Sequence, residues 1–112
     1  MLQQRKAEAE DMRGRIEYEV RSAFLDLTSA AEQVRVAQST LDLANQTLVQ
    51  AQDRFRAGVT NNVEVVQAQE AVANSNDAFI SSTLQFNLAK LALARSLGVA
   101  ERATKEFLGG TP

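Results

Sequence analysis

The sequence predicts an all-α fold: a long antiparallel coiled-coil helical hairpin that associates into a larger helical bundle or α-barrel. Three observations predict it, namely the composition, a seven-residue apolar period, and the reversal of that period around one glycine. Of the 112 residues 45% are apolar, but eighteen are alanine, aromatics make up 5%, and the single proline is Pro112. Such a composition favours long helices over a thick globular core.

The first helix is expected over residues 1–57, roughly 80 Å at 1.5 Å per residue. Its start carries alternating charges, with Lys6 and Glu10, Arg13 and Glu17, and Glu17 and Arg21 spaced as i,i+4 pairs. From Val20 a large apolar residue recurs every seven positions, at Leu27, Val34, Leu41, Leu48 and Phe55. Three residues after each of the first five comes an alanine: Ala23, Ala30, Ala37, Ala44 and Ala51. This is a heptad seam with large residues at one core position and small ones at the other.

A turn is expected at 58–60. Gly58 sits where a left-handed C-terminal cap belongs, and Arg54 and Arg56 occupy the preceding turn, where cations favour the helix dipole. Asn61 and Glu64 then have the spacing of a capping pair. The second helix, 61–98, repeats the seam at Val65, Val72, Phe79, Phe86 and Leu93, followed three residues later by Ala68, Ser75, Ser82, Ala89 and Ser96. The two stripes mirror each other about Thr60, which pairs large with large; a half-heptad shift at the turn would instead set large against small. Gly98 is expected to end this helix, leaving 99–112 as one more short helix and a flexible tail ending GGTP.

Two helices bury one seam, yet apolar residues also lie off it. Ile80, Leu84, Leu88 and Leu91 form a second stripe, and Phe24, Val36 and Leu43 lie off the first helix's seam. Dimerisation into a four-helix bundle would cover them, as would a place in a larger helical wall. The seam's flanks are mostly neutral: the only charge from Val36 to Gln52 is Asp42, and from Ala71 to Ala89 it is Asp77. Amides and hydroxyls there suit helices that meet further helices or line a wet lumen.

Composition also narrows the function. A formal charge of -2 with no basic run argues against nucleic acid, and the lack of Cys and His removes thiol catalysis, imidazole acid-base chemistry and zinc sites. Asp53, Glu64 and Glu70 have no partner at a catalytic spacing, so neither an enzyme nor a metal or cofactor is expected. No apolar run reaches the ~20 residues of a spanning helix, and the charged N-terminus does not read as a signal peptide. The chain therefore reads as a soluble segment.

The run RFRAG, followed by VEVVQAQEAVANS and later LAKLALARSLG, resembles the second periplasmic helical hairpin of the TolC-type outer-membrane efflux proteins, over roughly Ile16 to Gly98. The resemblance implies an excised piece of a homotrimer whose β-barrel sits in the outer membrane and whose α-helical duct crosses the periplasm. It implies that the turn docks a periplasmic adaptor, itself coupled to an inner-membrane pump. Ala57, Gly58, Val59 and Thr60 would form that docking tip, and Phe55 and Glu64 would lie at the gated entrance. Some members carry tyrosine at the position of Phe55, arginine at that of Thr60 and a second acid at that of Gln67. Neither their latch nor a strong acidic ring carries over to this chain. The competing reading is a free-standing scaffold or chemoreceptor-like signalling hairpin, which the neutral flanks and the RFRAG turn disfavour.

Overall fold

The computed structural model describes residues 2–108. The fold is all-α, with α1 spanning Leu2–Arg56 and α2 spanning Asn62–Leu108, and no strand occurs among the described residues. Ala57 to Asn61 join them, a slightly wider connection than the expected 58–60. The GGTP tail lies outside the described residues. The chain divides into two compact units. One pairs α1 as far as Ser29 with α2 from Asn87 onward; the other is Ala30–Phe86, which contains the turn.

In the Ala30–Phe86 unit, the small seam residues are the most deeply covered. Ala30, Ala44 and Ala51 of α1 and Val65 and Ala68 of α2 are buried, whereas Val34, Leu41, Leu48, Val72, Phe79 and Phe86 are half-buried. Ala51 is only 2% exposed, and it clusters with Val65 and Ala68, with Leu48 packed against them. A methyl group is covered this fully only when something larger lies over it. Across the seam, Val65 and Ala68 of α2 cluster with Ala51, so the layer nearest the turn combines a large residue with small ones. Such layers let the helix axes approach closely, and each contributes little area, about 0.8 kcal/mol per buried methylene-sized group. Stability therefore accumulates over repeated layers.

Phe55 departs from the heptad expectation, being 47% exposed. With Ala51 and Val65 forming the last layer, the next large position on α1 faces the turn, where no helix remains to receive it.

In the other unit, Ala23 is buried, and Ile16, Val20, Leu27, Leu93, Ser96, Ala100 and Ala103 are half-buried. Ile16, Val20 and Phe24 face Leu93, Leu97 and Ala100 across an open groove of about 700 Å³, rimmed by Glu17 and Arg21. Here the expected end of the second helix at Gly98 is corrected, because α2 continues unbroken through Gly98 to Leu108. Among the described glycines only Gly58 has a positive φ, so Gly98 is an ordinary helical residue. A helical glycine costs about 1 kcal/mol relative to alanine. Continuing the helix sets Ala100 and Ala103, four and seven residues after Ser96, on the same half-buried face, and this offsets that cost.

Side-chain ion pairs among the described residues include Arg35 with Glu32, Arg54 with Glu64, Arg56 with Asp53 and Lys105 with Glu101. The three i,i+4 pairs expected near the N-terminus do not close. Their side chains are fully solvated there, and such pairs gain only a few tenths of a kcal/mol, about what ordering two long side chains costs.

Candidate functional site

The turn is built from the backbone outward. The Val59 N–H donates to the Arg54 carbonyl and the Gly58 N–H to the Phe55 carbonyl, both at 3.0 Å, and the Ala57 N–H donates to the Asp53 carbonyl at 3.0 Å. The first two bonds define a Schellman cap, which consumes carbonyls that the end of α1 would otherwise leave unpaired. It requires a left-handed residue at its centre, and Gly58 supplies it with φ at 75°. The glycine expected as the cap is the cap.

Side chains then close the turn. Arg54 Nη1 donates to Glu64 Oε1 at 2.9 Å, and the Thr60 hydroxyl donates to Glu64 Oε2. The carboxylate expected to pair with Asn61 is instead held by the last turn of α1 and by the loop. The reason is electrostatic: Arg54 at a helix C-terminus and Glu64 at a helix N-terminus are each favoured by their own dipole, and the cap brings the two ends together. Arg56 lies 3.8 Å from Asp53, so both arginines of the tip have an acid beside them.

The turn leaves large apolar groups in solvent as well as polar ones. Val59 is 69% exposed, Phe55 and Val63 are also exposed, and Thr60 is half-buried. The fold thus brings Gly58, Val59, Thr60, Glu64 and Phe55 to one end of the Ala30–Phe86 unit. Arg54 as partner of Glu64, and exposed Val63 and Val66, were not among the expected site residues. An Arg–Glu pair ten residues apart has no signature in single-helix spacing, which shows only i,i+3 and i,i+4 neighbours. Val63 and Val66, flanking Val65 just after a cap, were readable as a valine excess over what one seam uses.

Flanking hydroxyls turn inward on their own helices. Thr40 donates to the Val36 carbonyl, Thr47 to the Leu43 carbonyl and Thr83 to the Phe79 carbonyl, each at 2.9 Å. The Gln38 amide donates to Asp42 at 3.0 Å, pairing the one charge in its neighbourhood. The flanks therefore present methyl and methylene groups as much as polar ones. The second stripe, Ile80, Leu84, Leu88 and Leu91, is more than half exposed along α2. No described helix is long and apolar enough to cross a membrane, and no described acid cluster could hold a metal ion.

The described residues thus form a two-helix hairpin closed at a charge-compensated turn, with an exposed apolar stripe along α2. The sequence model of the outer membrane efflux protein family matches residues 2–99, and the chain belongs to that family. Its members are channels that transport rather than catalyse, working with adaptor and inner-membrane partners. No curated protein and no solved structure matches the chain.

Proposed function

We propose that the two helices form part of the periplasmic α-helical duct of a trimeric outer-membrane efflux channel, and that Ala57, Gly58, Val59 and Thr60 dock the tip of a periplasmic adaptor. The observation that carries this reading is the turn itself, a hydrogen-bonded cap that leaves Val59 in solvent, with Phe55 and Val63 exposed in the same segment of chain. A turn that served only to reverse the chain would gain nothing from three exposed large apolar groups. The exposed stripe at Ile80, Leu84, Leu88 and Leu91 supports the duct, since neighbouring helices would cover it. The duct conducts passively, and the inner-membrane pump supplies the energy. Phe55 and Glu64 line the entrance in this reading.

Replacing Gly58 tests it. Gly58→Trp in the full-length protein is expected to abolish pump-dependent export without lowering the amount of protein in the outer membrane. Gly58→Asn, which tolerates a left-handed backbone, is expected to export nearly normally. Normal export with Gly58→Trp would remove Gly58 from the docking surface.

A further inference from the structure

We infer that Arg54, Thr60 and Glu64 form a clasp that holds the turn in its docking geometry, with Arg54 as the positioning residue; this rests on the docking role proposed above. One carboxylate ties three elements together. Glu64 Oε1, at the start of α2, accepts from Arg54 at the end of α1, and Oε2 accepts from Thr60 in the loop. Arg54 is held twice, because its own carbonyl accepts the Val59 N–H. Arg54 thus meets the turn through its backbone carbonyl and meets Glu64 through its side chain.

A Cβ built at Gly58 would find no atom within 4 Å, so no neighbouring side chain packs against the cap residue itself. Glycine is also the residue with the most backbone freedom to lose, so restraints from outside it help to order the turn. The clasp also gives Glu64 a counter-charge at 2.9 Å. Its carboxylate is committed within the hairpin, which sets it apart from an acid free to collect cations at an entrance.

The test combines two readouts on the full-length protein in membranes. Amide hydrogen exchange over 57–61 reports the clasp. A photo-crosslinking side chain at position 59 reports docking to the adaptor. Arg54→Gln keeps helix propensity and removes the charge, and Arg54→Lys keeps the charge. With Arg54→Gln, exchange in the turn is expected to rise roughly fivefold, the scale of an exposed ion pair, and crosslinking to fall severalfold at equal protein abundance. Arg54→Lys is expected to restore most of both. Unchanged exchange with Arg54→Gln would overturn the clasp. Faster exchange with undiminished crosslinking would overturn its role in docking. An adaptor that fails to crosslink to the unsubstituted turn would sink the docking role itself, leaving exchange to judge the clasp alone.

Discussion

The two ends of the seam use the same heptad to different effect. In the Ala30–Phe86 unit five seam residues are buried, and Ala51, Val65 and Ala68 close into a cluster with Leu48. In the unit made by the start of α1 and the end of α2 only Ala23 is buried among the described residues, and a wide groove lies open between Ile16, Val20 and Phe24 on one side and Leu93 and Leu97 on the other. Phe24 and Leu97 instead stand exposed on the walls of the groove.

The strongest way to break this contrast is to place a charge in each seam. Ala51→Asp puts an unpaired carboxylate in a site 2% exposed and is expected to cost about 3–5 kcal/mol. Ser96→Asp, at the half-buried equivalent position, is expected to cost only about 1 kcal/mol. Thermal melts of the purified chain followed by circular dichroism would measure both, and equal losses would erase the distinction between the seams.

A finer comparison uses the two glycines. Gly58→Ala forces a side chain into a left-handed backbone and is expected to destabilise by about 1 kcal/mol. Gly98→Ala fills open space in a regular helix and is expected to stabilise by about 0.5–1 kcal/mol. Opposite shifts in melting temperature are the expected result. A destabilising Gly98→Ala would mean that α2 breaks there after all.

The smallest effect is a pH dependence within the tight unit. A side-chain hydrogen bond from Arg35, and then its charge, hold the Glu32 carboxyl below its ordinary range. A carboxyl depressed in the folded state stabilises above its unfolded pKa, and that contribution fades as pH falls through the folded pKa. Both side chains are exposed, so the effect is slight. Melting temperature should therefore drop a little less on acidification in Glu32→Gln than in the unsubstituted chain; identical acid profiles would show that the pair contributes nothing.

Much of this was legible in the sequence because helices announce themselves by period. The seam from Val20 to Leu93 and the cap at Gly58 are local patterns; the cap is seen, and near the turn Ala51, Val65 and Ala68 are buried. Register was not legible, because a mirrored stripe fits two pairings and only the geometry of the turn chooses between them. Phe55 obeyed the heptad but had run out of partner helix. Gly98 carried a stop signal that Ala100 and Ala103 overrode, since the face they continue is shared with α1. The Arg54–Glu64 pair lay beyond reach for the same reason: it exists only once two helix ends meet. The docking role of the turn was read from resemblance.

The mirrored seam also acts as a ruler on sequence change. Adding or removing a few residues in one helix alone would rotate every later layer out of register with its partner. Length can change cheaply only when a whole heptad enters both helices at facing layers, so the hairpin grows or shrinks in steps of about 10.5 Å. Relatives that reach different distances should therefore differ by paired insertions of seven residues, one in each arm, with the turn from Arg54 to Glu64 left intact.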